Sequence, residues 1–372
     1  MKKINILFFH FDLGNGGAER VLVNLANALD PQKYNIEIRT IFNSGPNRKR
    51  INPNIKYSSV FNRKAFRGIS VLMKLLSPKL LHRLFIKDDY DIEIAFREGG
   101  PSRIISGCTN QKTKKFSWIH TTLSDCNIAA RGYKNLNEFV ECCKRFDGIA
   151  SVSDVVKKSV ERWLPEEIKV TTVYNVIEPD YIRKQASEPI ELEINRNGTL
   201  NMITVGRLTP VKSFDRLLNV LGEVRLTGYS KWHLYVIGVG ELMDELFALS
   251  KKNGLESNVT FLGFEENPHK YVSKMDLYVC SSLIEGYSTA VTESIINGTP
   301  VLTTDCAGMS EIFGDTMAGI IVNNNEKALY SGITEIMDNP QKLELMKRSA
   351  VSRSSFFSKE NGINQFEAFV LL

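Results

Sequence analysis

Short apolar runs alternate along almost the whole chain with stretches whose apolar residues recur every three or four positions. This switching between a period of two and a period of 3.6 specifies βα units built around parallel sheets. In the first half the strand-like runs are INILFF, NIEIRTIF, DIEIAF, KKFSWI and DGIASV, closed by IKVTTV. The series restarts at LNMITV and continues through HLYVIG, NVTFLG, DLYVCS, PVLTT and GIIV. Helical patterns such as Ala18 to Leu29 and Ser213 to Arg225 lie between them. The expected class is α/β, with two Rossmann-like, doubly wound parallel-sheet domains facing across a cleft. The interruption falls at YNVIEPDYIRKQASEPIELEINRNG, where Pro179, Pro189 and an Asn-Arg-Asn-Gly turn break the apolar pattern. It divides the chain into residues 1–180, residues 181–355 and an amphipathic helix over 356–372, which has no strand after it and can cross back to the first domain.

A length of 372 residues suits two domains, and 43% hydrophobic with 24% charged residues is ordinary globular composition. Lys74, Lys79 and Arg83 interrupt the longest apolar stretch, so nothing approaches the roughly 18 apolar residues of a spanning helix. The opening MKKINILFFHF imitates a secretory leader, but Asp12 and Gly14 follow where small cleavage-site residues belong, and it reads as a first strand. The six cysteines, Cys108, Cys126, Cys142, Cys143, Cys280 and Cys306, have neither metal-ligand spacing nor the density of a disulfide scaffold. Reduced, partly buried thiols and a cytoplasmic setting are expected.

Charge divides unevenly. Residues 1–190 carry 31 Lys and Arg against 20 Asp and Glu, while the remainder holds 16 against 22. Residues 38–87 contain twelve cations (Arg39, Arg48, Lys49, Arg50, Lys56, Arg63, Lys64, Arg67, Lys74, Lys79, Arg83 and Lys87) and no acid, a block that attracts an anionic surface. Within it, FRGISVLMKLLSPKLLHRLFI has helical apolar spacing interleaved with bases, which suits either a membrane interface or a core-packed helix with a solvated basic face. No nucleic-acid-binding motif accompanies the charge, so no nucleic-acid partner is expected.

Ligands of doubly wound sheets bind outside the carboxyl ends of the strands, so the chemistry belongs in the strand-to-helix loops. The first such loop, DLGNGGAER, offers Gly14, Gly16 and Gly17, whose backbone N–H groups can approach an anion or a hydroxyl at a helix start. It lacks the full GxGxxG spacing, and no acid marks the end of the second strand, which argues against a dinucleotide. In the second half GRLTPVKSFDRLL sets Arg207 and Lys212 at a helix start after a strand, a clamp for a diphosphate. The densest constellation is SSLIEGYSTAVTESIINGTPVLTTDCAGMSEI. Its Glu285 follows a strand, and Glu293 lies on a helix starting near Thr289. The backbone N–H groups of Tyr287, Ser288 and Thr289 lie between the two carboxylates.

This string resembles the donor-binding signature of the retaining glycosyltransferases of family four, polysaccharide-biosynthesis type, which have the GT-B fold. The family pattern is a glutamate, seven residues and a second glutamate, then G-x-P-V; Glu285, Glu293, Gly298, Pro300 and Val301 match it. GGAER, a Trp-x-His segment, VGRL with its lysine, VIGVGE and FLGF also occur in family order, so the resemblance spans nearly the whole chain. It implies that Arg207 and Lys212 hold the nucleotide diphosphate, that Glu293 accepts both ribose hydroxyls, and that Glu285 binds donor-sugar hydroxyls on the reacting face. By the same resemblance the backbone of Gly286, Tyr287, Ser288 and Thr289 holds sugar and phosphate, with Gly16 and Gly17 on the donor from the first loop. Gly238 to Glu241 would line the nucleotide pocket, and the backbone at Phe264 would read the base. His120, in WIHTTL, matches the family's active-site histidine. The chain departs from the family at Tyr287 and Ser288, where Phe and Gly are usual.

The pair Asp89 and Asp91 imitates a metal-binding DxD but precedes its strand, at the wrong end for a site on strand carboxyl ends. No metal and no other cofactor is expected, since the resemblance implies metal-independent catalysis. The expected activity is transfer of a sugar from a nucleotide diphosphate sugar, UDP favoured, to a hydroxyl of a lipid-linked or oligosaccharide acceptor. The expected location is cytoplasmic and peripheral on the inner face of the plasma membrane, through residues 38–87. The rival readings are a sugar-nucleotide epimerase of the same fold and a non-catalytic nucleotide-sugar-binding protein.

Overall fold

The computed structural model describes residues 2–14, 16–66 and 68–371. Its first sheet comprises β1 (Ile4–His10), β2 (Tyr34–Phe42), β3 (Lys56–Phe61), β4 (Ile92–Ala95), β5 (Lys114–Ile119), β6 (Gly148–Ser151) and β7 (Val170–Thr172). Their order is β3-β2-β1-β4-β5-β6-β7. Pairing is parallel, with Ile6 opposite both Ile36 and Ile92. The central strands are apolar throughout because helices cover both faces: Leu7, Phe8 and Phe9 of β1 are all fully buried. The second sheet comprises β8 (Leu200–Val205), β9 (Trp232–Ile237), β10 (Val259–Gly263), β11 (Leu277–Cys280), β12 (Val301–Thr304) and β13 (Gly319–Val322). It is also parallel, in the order β10-β9-β8-β11-β12-β13. Both sheets reverse direction beside their first strand, between β1 and β4 and between β8 and β11, and these switch points are where doubly wound sheets bind ligands.

The chain forms two compact units, Met1–Ile177 with Lys359–Leu372, and Glu178–Ser358. The helix Pro179–Ala186 belongs to the second unit, and the helix Lys359–Val370 belongs to the first. Phe366 on that last helix is fully buried; its ring lies 6.0 Å from Phe8 and 5.9 Å from Trp118. The second unit's core gathers Leu217, Leu221, Trp232, Leu234, Leu277 and Leu302 between sheet and helices.

Three observations correct the sequence reading. Strand β3 forms the edge of the first sheet although KYSSVF has no clean apolar alternation; five of its six residues are half-buried, as suits an edge. The helical pattern over FRGISVLMKLLSPKLLHRLFI is two helices, α2 (Ile69–Leu75) and α3 (Pro78–Phe85). Ser77 caps α3 and Pro78 takes its first position, where a missing N–H costs nothing. The basic block is not uniformly a surface patch. Arg39 is buried at 8% exposure and paired with Glu37 (2.7 Å) and Asp88 (2.8 Å), and Lys56 joins the same network 2.8 Å from Glu37. Arg67 lies outside the described residues.

Candidate functional site in the second unit

The loop after β8 carries Arg207, which is exposed, and Lys212, which ends the short 3-10 helix Pro210–Lys212. Ser213 then adopts a left-handed conformation (φ 49°) before the helix Phe214–Leu226, alone among the described non-glycine residues in having positive φ. That turn joins the short 3-10 helix to the longer one, so Lys212 stays in the loop after β8, an interior strand of the sheet. Lys212 Nζ donates to Glu285 Oε1 at 2.6 Å, and Ser282 Oγ donates to the same oxygen at 2.6 Å. Burial works to discharge Lys212, but the Glu285 charge beside it holds the ammonium above its usual pKa. An ammonium has three donors, and this pair engages one of them.

The loop carrying Glu285 is held from below by residues that sequence reading missed. Arg216, on the helix after Lys212 and only 7% exposed, donates to the carbonyls of Ser281 and Ser282 and to Asn324 Oδ1 (2.8 Å). Asn324 donates in turn to the carbonyls of Leu283 (3.1 Å) and Asp305 (3.2 Å). Ser281 Oγ returns a bond to the carbonyls of Lys212 and Ser213, both at 3.0 Å. The loops after β8 and β11 are thus one hydrogen-bonded body across the switch point. Tyr278 locks the strands beneath it, its hydroxyl donating to the Val205 carbonyl at 3.0 Å. None of these partners has a local sequence signal, because Arg216 and Asn324 are 108 positions apart.

The helix Thr289–Ile296 follows, capped by Ser288, whose hydroxyl accepts from the Val291 N–H. Ser288 has an ordinary extended backbone (φ −71°, ψ 112°), so the family's glycine is not required here and the serine serves as an N-cap. Gly286, Tyr287 and Ser288 are buried and Thr289 half-buried. Glu293 lies on this helix at 14% exposure with its carboxylate 4.0 Å from Nδ1 of the buried His269, another residue the sequence reading passed over. Gly238 follows β9 at φ 143°, and a Cβ there would lie 1.9 Å from the Gly206 carbonyl oxygen. Only glycine lets the β9 loop press against the β8 loop that carries Arg207. Phe264, after β10, has an exposed side chain.

In the first unit, helix α1 (Gly17–Ala28) starts at Gly16, where a Cβ would meet the Glu19 carboxylate at 2.0 Å. Glu19 pairs with Arg97 at 2.9 Å. His120, just past β5, has its N–H bound by Glu98 Oε2 at 2.9 Å, and its ring lies 5.0 Å from that of Phe96. Its Nε2 is buried without a hydrogen-bond partner. Burial lowers its pKa to about 4, so the imidazole is neutral at physiological pH. His10, at the end of β1, is also depressed by burial, and its Nδ1 lies 2.6 Å from the Asp12 carbonyl, which fixes Nδ1 as the protonated nitrogen. Asp91 accepts from the Asn5 N–H at 2.8 Å and Asp89 from Asn110 at 3.2 Å, at the opposite edge of the sheet from His10 and His120.

Two doubly wound parallel sheets, the second with cations after its first strand and carboxylates after its fourth, are the arrangement of the GT-B fold. The family description of the group 1 glycosyl transferases matches residues 191–353, in the second unit. The chain is 31% identical over 193 residues to the N-acetylgalactosamine-N,N'-diacetylbacillosaminyl-diphospho-undecaprenol 4-alpha-N-acetylgalactosaminyltransferase of Campylobacter jejuni, a match spanning 51% of this chain and 50% of that one. Over 96% of both chains it is 24% identical to the lipopolysaccharide core biosynthesis glycosyltransferase LpsE of Rhizobium meliloti. In fold it is similar to Anabaena Alr3699/HepE, solved in complex with UDP and glucose, with a TM-score of 0.75 at 17% identity over 99% of each chain.

Proposed function

We propose that this chain is a retaining transferase that moves a sugar from a UDP-sugar to a hydroxyl of a lipid-linked glycan during cell-surface polysaccharide assembly. The observation that carries the reading is the Lys212–Glu285 pair at the switch point of the second sheet, with Glu293 on the next helix. Arg207 and Lys212 hold the diphosphate, Glu293 the ribose hydroxyls and Glu285 the hydroxyls of the donor sugar, with the backbone of Gly286 to Thr289 beside them. The bond from the anomeric carbon to the diphosphate breaks with its electron pair going to phosphate. The acceptor oxygen bonds to the anomeric carbon on the same face, and its proton passes to the departing phosphate. Fixed cations stabilise the charge that develops there, which is worth most in a site already organised for it. Support for a UDP donor comes from the Anabaena structure with UDP, and support for a lipid diphosphate acceptor from the name of the Campylobacter relative.

The exposed apolar side chains Val71, Leu75, Leu80 and Leu84 on α2 and α3, interspersed with Lys74, Lys79, Arg83 and Lys87, suit docking on an anionic leaflet, where each base contributes about 1 kcal/mol. No helix among the described residues is long and apolar enough to cross a membrane.

The test is a thermal-shift panel of UDP, GDP, ADP, NAD and several UDP-sugars on the wild type and Glu293→Ala. A ligand at 100 times its Kd stabilises the fold by about 2.7 kcal/mol. Stabilisation by UDP that the variant loses supports the donor site; stabilisation by NAD alone, or UDP binding untouched by Glu293→Ala, overturns it. Product analysis of a UDP-sugar without acceptor separates the transferase from an epimerase, which would alter the sugar itself.

A further inference from the structure

At the amino-terminal edge of the first sheet, away from His10 and His120, three side chains of different chemistry converge. His82 comes from α3, Glu93 from β4, and Cys108 from the turn just past the helix Gly100–Ile105. His82 Nε2 lies 2.8 Å from Glu93 Oε2, and the ligand atoms of all three residues lie within 4.8 Å of one another. The convergence is built into the backbone. A Cβ at Gly107 would lie 2.1 Å from the Pro78 carbonyl oxygen, so glycine there lets the start of α3 and the chain leading to Cys108 meet at backbone contact.

From this cluster we infer that His82, Glu93 and Cys108 form a zinc site, with water as fourth ligand. Thiolate with imidazole selects a borderline-soft ion over magnesium or calcium, and three protein ligands with one open position is a recurrent zinc arrangement. Tetrahedral zinc with bonds of about 2.0–2.3 Å needs donor atoms roughly 3.3–3.8 Å apart, so the site closes by side-chain shifts of about an ångström. Glu93 is 2% exposed and His82 14%, while Cys108 is half-buried, which leaves solvent on one side for the fourth ligand.

The charges balance when the ion is bound: any protons its ligands carried leave to solvent, and two positive charges meet one thiolate and one carboxylate, which leaves no large uncompensated charge in this half-buried place. A metal uses all three groups at once. Bound zinc would pin α3, and with it the exposed Lys79, Leu80, Arg83 and Leu84, to β4.

The test uses the full chain, stripped with chelator and reduced. Cobalt is titrated as a spectroscopic probe and zinc by competition with a chromophoric chelator. One equivalent of cobalt should bind with a thiolate-to-metal charge-transfer band. Cys108→Ser should abolish the band, and His82→Gln should weaken zinc binding at least 100-fold, both with unchanged far-ultraviolet circular dichroism. Zinc should also slow amide exchange in α3 of the wild type, a readout that needs no variant to fold. Absence of the band, or stoichiometric zinc binding that survives both substitutions, would overturn the assignment.

Discussion

The pair of Lys212 and Glu285 can be separated into what it does for stability and what it does for transfer. Its atoms meet at 2.6 Å with side chains 25% and 11% exposed, so it is sheltered, and Ser282 supplies a second donor to the same carboxylate oxygen. Replacing Lys212 by Met leaves that carboxylate with a single neutral donor, and a hydrogen bond to a charged group in such a place is worth about 1.5–3 kcal/mol. The second unit, Glu178–Ser358, has an unfolding entropy of roughly 0.4 kcal/mol/K by residue scaling, so a loss near 2 kcal/mol lowers its Tm by about 5 °C. Lys212→Met with Glu285→Gln removes both charges together and should return within about 1 kcal/mol of wild type. Transfer should not return: single and double variants alike should stay down about 10²–10³-fold, as for a lost oxyanion donor. Glu285 raises the Lys212 pKa, so the pair's contribution is complete below 10.5 and fades only above it. Calorimetry at pH 6 and pH 9 should therefore give equal deficits for the lysine variant. A lysine variant as stable as wild type, or a double variant with restored transfer, would refute this account.

Arg216→Lys keeps the charge but cannot span the carbonyls of Ser281 and Ser282 together with Asn324, so kcat should fall at least tenfold while UDP affinity, read by calorimetry, holds. Ser213→Gly relieves a left-handed serine and should raise stability by about 1 kcal/mol, visible as a Tm increase. His120 has a folded pKa near 4, below its unfolded value, so the unfolded chain binds more protons between 6.5 and 4 and stability declines as pH falls through that window. His120→Asn should remove that decline from the difference in denaturant midpoints. A wild type and variant with parallel pH dependence would show that the imidazole is not held neutral.

The sheets were legible because their central strands are covered on both faces, which leaves apolar runs that polar turns punctuate. β3 escaped because an edge strand is only partly buried, and Ser58 and Ser59 sit where an inner strand would carry hydrophobes. The break between α2 and α3 was legible at Pro78, which interrupts the helical pattern there. Arg39 looked like surface charge because its acidic partners stand elsewhere: Asp88 lies 49 positions on, and Glu37 just outside the acid-free block. In the second unit the groups that would meet a ligand, such as Glu285 and Glu293, fall in one motif and could be read. The groups that hold them in place come from other elements, and Arg216, Asn324 and His269 carry no local pattern that marks their partners.

The helix Lys359–Val370 sets the order in which this chain can finish folding as it is made. Phe366 and Phe369 pack on Phe8, Phe116 and Trp118, and Glu367 accepts from the Tyr34 hydroxyl at 2.9 Å. All of those partners are synthesised before the second unit begins, and the whole of Glu178–Ser358 emerges in between. At 5–20 residues per second the ribosome takes roughly 10–40 s over that interval. Throughout it the first sheet waits with an aromatic face uncovered, and the half translated first is the half whose core closes last.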